Sequence, residues 1–198
     1  YQKSGYEYIK LYLAKQFNTK INIDIDEIIR EKNLDFLGLM CKEVGIPFSV
    51  KNSLLWQYRL HDPNIKLRDD IKNLIRELKS KKVQIAIITD GRSLTQRIKI
   101  NKLKLDNIPL FISEEYESLK PDPLRYKIIM KKWPSKKYVY IGDNASKDFH
   151  SPMELGWYCI GANWFKEKLY KNPPNSEKSV EPHLWLENPN LIINVLIN

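Results

Sequence analysis

Only two cysteines, Cys41 and Cys159, occur in this chain of 198 residues, and they stand far apart. A disulfide-stapled scaffold is therefore excluded. The expected state is a pair of isolated buried thiols in a cytoplasmic protein, the alternative being a single disulfide. No apolar run approaches the roughly 20 residues of a membrane-spanning helix, so no membrane role is expected. The opening residues, Tyr1-Gln2-Lys3-Ser4-Gly5, lack the apolar stretch and cleavage site of a secretory signal. They also lack an initiator Met, so Tyr1 is not expected to be the natural start. There is no internal repeat, no low-complexity segment, and no motif in which basic and aromatic residues interleave for nucleic acid. Nucleic acid is accordingly not expected as a partner.

What is present is a soluble, globular composition, 42% apolar and 29% charged, long enough for one domain and a small second one. The formal charge of +9 comes from 33 Lys and Arg against 24 Asp and Glu. Its lysines are scattered, often near acids, as on a solvated surface. A positive field of this kind also steers small phosphorylated substrates.

The N-terminal third reads as helices. One stretch includes Tyr8, Ile9, Leu11, Tyr12 and Leu13 and ends near Phe17. Asp24 with Glu27 resembles a capping box for a second helix running to about Cys41. Gly45-Ile46-Pro47 breaks it, and 53–60 reads as a third helix. His61-Asp62-Pro63-Asn64 is turn chemistry and marks a hinge. The pattern then changes to alternation. Helices are predicted at 69–78, from the early nineties to about Leu103, at 123–132 and at 152–155. Strands are predicted at 83–88, 109–112, 138–141 and 157–160, the first as a strand buried on both faces. Residues 171–176 read as a loop and 188–196 as a final helix. Alternation of this kind predicts an α/β fold with a Rossmann-like parallel sheet and helices on both faces, joined to a small all-helical domain. The expected division is 1–64 and 65–198.

Three segments carry chemistry, each beside a short apolar run. They are Thr89-Asp90-Gly91, Ser118-Leu119-Lys120-Pro121-Asp122-Pro123, and Ile141-Gly142-Asp143 with Asp148. In an open parallel sheet, ligands bind beyond the carboxyl ends of the strands, where these residues are predicted to lie. The Thr89 hydroxyl and the backbone N–H groups of the Asp90-Gly91 turn suit phosphate oxygens, and Gly91 permits close approach. Arg92 follows that turn and is a candidate for substrate contact. Lys120 offers positive charge for transition-state oxygens. Asp143 and Asp148 are hard oxygen ligands suited to Mg²⁺.

In that order, these segments resemble the second, third and fourth motifs of the haloacid dehalogenase superfamily. Gln96, Lys99, Leu103 and Lys147-Asp148-Phe149 also fit. The resemblance covers about residues 58–161. It implies a Rossmann-like core with a helical cap, here residues 1–64, and a phosphomonoesterase acting on a small phosphorylated metabolite. It further implies that Thr89 binds the transferring phosphoryl group, that Lys120 stabilises its charge, that Asp143 coordinates Mg²⁺, and that Asp148 orients Lys120 or supports the metal. The family's first motif, an Asp-x-Asp whose first Asp attacks phosphorus, is missing at its expected place. Asp24-Ile25-Asp26 imitates it but leads into an amphipathic helix. The expectation is that the nucleophile and its strand lie upstream of Tyr1 and that the chain as given is inactive. The alternatives are a non-catalytic binding or regulatory protein of the same fold, or a haloacid dehalogenase.

Overall fold

The structure, a computed structural model, describes residues 1–31, 34–164 and 179–197. The loop predicted at 171–176 lies outside the described residues. The chain divides into two compact units, one of Tyr1–Lys66 with Leu94–Asp106, the other of Leu67–Ser93 with Asn107–Asn198.

The first unit is helical throughout. It contains α1 (Gln2–Gln16), α2 (Ile25–Arg30), α3 (Phe36–Glu43), α4 (Lys51–Leu60) and nearly all of α6 (Ser93–Lys102). Gly5, Ile9 and Leu13 recur four apart on the buried face of α1. Ile9 and Leu13 pack with Ile21, Ile28, Phe36, Met40 and Leu54 in one core cluster. The single helix predicted from Asp24 to Cys41 is instead two. Asp24 caps α2 by accepting the N–H groups of Asp26 at 2.8 Å and Glu27 at 3.3 Å. Asp35 then accepts the N–H of Gly38 at 3.1 Å and starts α3. A side chain that takes an N–H in this way offers the backbone an alternative to continuing the helix. The carboxylate of Asp26 pairs with Lys3 at 2.5 Å. Trp56 of α4 is 54% exposed. His61 is buried, with its ring nitrogens 2.8 Å from Ser4 Oγ and 2.6 Å from the Tyr58 carbonyl.

The second unit alternates helix and strand: α5 (Asp69–Ser80), β1 (Ile87–Thr89), β2 (Leu110–Ile112), α7 (Ser113–Tyr116), α8 (Leu124–Lys132), β3 (Val139–Gly142), α9 (His150–Glu154), β4 (Tyr158–Ala162), β5 (Leu184–Leu186) and α10 (Ile192–Ile197). Every strand pairing is parallel. The ladders form two sheets, β1-β2 and β3-β4-β5. Ile88, Phe111, Tyr140 and Cys159, from strands of both sheets, nevertheless share one apolar cluster. A second cluster joins Leu74 and Leu78 of α5 to Ile160, Leu186 and Ile192.

The strand predicted at 83–88 is shorter and shifted, because a ladder extends only as far as its partner does. β1 is matched residue for residue by β2, from Ile87↔Leu110 to Thr89↔Ile112. Its residues are half-buried rather than buried on both faces, since one edge of β1 has no partner strand among the described residues. β5 was not foreseen. Its Trp185 lies over Gly161 of β4, where a Cβ would come within 2.1 Å of the indole. That close approach explains the glycine.

Candidate active site

The second unit gathers the singled-out residues at the carboxyl ends of β1 and β3. Thr89 is the last residue of β1, and Asp90 and Gly91 form the turn that follows it. Gly91 adopts φ 135°, a region open mainly to glycine. Its N–H donates to Ser113 Oγ at 2.9 Å, so this N–H is engaged within the protein. The N–H of Ser93 donates to Glu114 Oε2 at 2.6 Å, and Arg92 pairs with Glu114 Oε1 at 2.7 Å. The turn after β1 is thus tied to the first turn of α7.

Lys120 lies on the loop before α8. Asp122 Oδ1 accepts the Ser118 hydroxyl at 2.9 Å and the Leu124 N–H at 2.8 Å, which fixes that loop against the helix start. The Lys120 ammonium donates to Asp148 Oδ1 at 2.7 Å and to the Tyr140 hydroxyl at 2.8 Å. This ion pair is largely buried, with side-chain exposures of 10% and 3%. Tyr140 in turn donates to Asp148 Oδ1 at 3.3 Å. Burial, and then the charge of Asp148, hold its phenol well above the ordinary range, so it remains protonated.

Asp148 has its other oxygen occupied as well. Its Oδ2 accepts the N–H groups of Asp143 at 3.1 Å and Asn144 at 2.9 Å. Gly142 makes room for it, since a Cβ there would lie 2.8 Å from both Cβ and Oδ2 of Asp148. The Gly-Asp sequence after β3 is therefore demanded by packing as well as by the turn. The Asp143 carboxylate differs. It forms no ion pair or hydrogen bond to another side chain among the described residues. Burial, and then the nearby charge of Asp148, raise its pKa above the ordinary carboxylate value.

The donor set suits a small divalent cation in one respect. Asp143 is an uncommitted, partly desolvated carboxylate, whose charged form a cation would favour. Both oxygens of Asp148 already accept donors within the protein. Among the described residues no group of three or more His, Cys, Asp or Glu is arranged to hold a metal. Mg²⁺ requires only one or two protein carboxylates and keeps waters and substrate oxygens as its other ligands.

Thr89, Asp90, Lys120, Asp143 and Asp148 thus belong to one neighbourhood. Arg92 is turned to Glu114, and His150 opens α9. Asp24 and Asp26 belong to the helical unit, where one caps α2 and the other pairs with Lys3. Sequence reasoning missed Arg125, Tyr140 and Ser113. The helix of Arg125 also carries Lys127, Lys131 and Lys132, so no signal in the sequence set Arg125 apart from a surface cation.

Residues 4–162 match the model of the haloacid dehalogenase-like hydrolase family. The chain belongs to this family. It is 25% identical over 186 residues to the glyceraldehyde 3-phosphate phosphatase of Pyrococcus furiosus, covering 92% of this chain and 72% of that one. Its fold is similar to that of Bacillus subtilis YfnB, described as a HAD-hydrolase and solved bound to magnesium, with a TM-score of 0.65, 16% identity, and 98% and 92% of the two chains covered. It is also similar to the 2-haloacid dehalogenase of Pseudomonas syringae pv. Tomato, with a TM-score of 0.62, 15% identity, and 98% and 90% covered. At such identities these structures speak for the fold alone. The protein is a haloacid dehalogenase-like hydrolase, with a Rossmann-like parallel core accompanied by helices. No helix among the described residues is long and apolar enough to cross a membrane.

Proposed function

We propose that this hydrolase is a Mg²⁺-dependent phosphomonoesterase acting on a small phosphorylated metabolite through an aspartyl-phosphate. The observation that carries the reading is the Lys120 ammonium held by Asp148 and Tyr140, with the uncommitted Asp143 carboxylate on the same turn as Asp148. The Pyrococcus furiosus relative, named for a triose phosphate ester, supports the substrate class. In this reading Thr89 receives the phosphoryl group, while the Gly91 N–H and Arg92 are held by Ser113 and Glu114 and shape its turn. Lys120 meets the charge that develops on its oxygens. Asp148 keeps that ammonium oriented and, through two backbone N–H groups, fixes the turn carrying Asp143. Asp143 would hold the metal, which when bound supplies charge stabilisation at the phosphoryl oxygens.

The attacking carboxylate is assigned to a segment preceding Tyr1, entering as a further parallel strand. The break of the ladder into β1-β2 and β3-β4-β5 supports this, because β1 and β3 each have an edge with no partner strand among the described residues while sharing one apolar cluster. Attack on phosphorus would break the ester P–O bond and release the alcohol after its protonation. Water would then cleave the acyl phosphate. The helical unit is read as the cap that selects the substrate. The +9 charge is read as steering for an anionic metabolite, with no nucleic acid or membrane partner. The two buried free thiols accord with a cytoplasmic setting.

The test compares the 198-residue chain with one extended by its natural upstream residues. Each is assayed with p-nitrophenyl phosphate in Mg²⁺ and in EDTA, and for chloride release from 2-chloropropionate. Metal-dependent phosphate release by the extended chain alone is expected. Turnover by the shorter chain would move the nucleophile inside it. Metal-independent chloride release would make the protein a dehalogenase. Phosphate binding without any turnover would make it a non-catalytic member.

A further inference from the structure

Among the described residues Arg125 is one of the largest fully buried side chains, at 0% exposure, and it lies on α8, outside the three segments that carry the chemistry. A buried guanidinium is costly unless carbonyls and a carboxylate surround it. Here its Nη1 donates to the carbonyl of Thr89 at 2.9 Å and to that of Phe111 at 3.3 Å. Its Nη2 donates to Asp90 Oδ1 at 2.6 Å. One planar group therefore grips the backbone near the ends of β1 and β2 and a carboxylate between Thr89 and Gly91. Both oxygens of Asp90 also accept the backbone N–H of Lys120, each at 3.3 Å. Lys147 Nζ stands 3.7 Å from Asp90 Oδ2.

This arrangement poses an electrostatic problem. A carboxylate one residue beyond Thr89 would repel an incoming phosphate dianion. Its charge must be compensated where the anion is to bind. We infer that Arg125 is a positioning residue of the anion site: it neutralises Asp90 and, through Asp90, sets the peptide of Lys120, so that Asp90 serves as an internal counter-ion rather than as a contact to substrate. The assignment rests on the reading that Thr89 and Lys120 face a phosphoryl group. It adds that the site depends on a buried charge that does not touch the ligand.

The test measures tungstate affinity by calorimetry and Lys120 amide exchange by mass spectrometry or NMR, on the full chain. The variants are Arg125→Met, Asp90→Asn, their combination, and Arg125→Lys. Arg125→Met removes the guanidinium 2.6 Å from Asp90 and leaves Lys147 at 3.7 Å, and should weaken tungstate binding by about tenfold or more. Adding Asp90→Asn removes the offending charge, and should restore affinity to within about threefold of the parent. A merely structural role would make the double variant no better than the single one. Lys120 amide exchange should accelerate in Arg125→Met while the amides of β4 keep their protection. Arg125→Lys should fall between parent and Arg125→Met, because an ammonium keeps the charge but loses the fork. Should Arg125→Met fail to fold, the double variant and Arg125→Lys carry the comparison. Parental tungstate affinity in Arg125→Met, or an unchanged Lys120 amide, would overturn the inference. If the parent binds no tungstate, the phosphate reading fails, and the Lys120 amide alone decides the assignment of Arg125.

Discussion

Replacing Asp148 by Asn should destabilise the second unit by more than the loss of one charge. Asp148 accepts four hydrogen bonds, from Lys120 and Tyr140 on Oδ1 and from the N–H groups of Asp143 and Asn144 on Oδ2. Asn has one acceptor oxygen and an NH₂ that only donates. With its oxygen toward the backbone, the NH₂ faces the Lys120 ammonium, which is left unpaired at 10% exposure. Breaking a buried pair in this way costs about 3–5 kcal/mol. With its oxygen toward Lys120, the NH₂ faces two N–H groups that lose their acceptor, at roughly 1–3 kcal/mol each. Either orientation costs about 2 kcal/mol or more, a large share of the roughly 5–15 kcal/mol that stabilises a domain. With a urea slope of about 2 kcal/mol/M, the midpoint should fall by about 1 M or more. Fluorescence of the buried Trp157, packed against Tyr126 and Tyr138, would report the transition. A double-mutant cycle with Lys120→Met should give a coupling of about 2 kcal/mol, since the double variant removes both charges. A loss below about 1 kcal/mol, or a coupling below about 0.5 kcal/mol, would refute the reasoning that this pair is desolvated and fully engaged.

Asp143 should behave oppositely. Its pKa is raised in the fold, so between the unfolded value of 3.8 and the folded one the native state binds more protons, and stability falls as pH rises through that window. Asp143→Asn should therefore be more stable than the parent at pH 7 in EDTA, with the advantage vanishing below about pH 3.5, as thermal melts across pH would show. In the extended, active protein the same substitution should cut turnover about a hundredfold or more, only partly rescued by added Mg²⁺ in a metal titration. Gly161→Ala would drive a Cβ to 2.1 Å from the Trp185 indole. It should cost about 1–3 kcal/mol and change the near-UV dichroism. Burial pushes the Cys159 thiol up to about 12 and raises Cys41 as well, so both should resist Ellman's reagent at pH 8 until urea unfolds the chain.

The amino-acid sequence by itself determined the local chemistry of this protein. The β-branched run before Thr89, the turn residues after it, the Lys120-Pro121 loop and the Gly142-Asp143 turn are short-range signals. They placed Thr89, Lys120, Asp143 and Asp148 just past predicted strands, and the helical reading of the N-terminal third rested on apolar patterning together with capping and breaking residues. Tertiary structure decided what those signals could not contain. Lys120 meets Asp148 across 28 residues, and Arg125 meets Asp90 across 35. A contact at such separation has no periodicity to reveal it. Strand lengths belong to the same class. β1 ends where β2 ends, and β5 exists because β4 offers an edge and Gly161 admits an indole. A strand is a property of a pair, and a buried cation such as Arg125 is tolerated only where the fold supplies carbonyls and a carboxylate, so neither can be read from one segment of the chain.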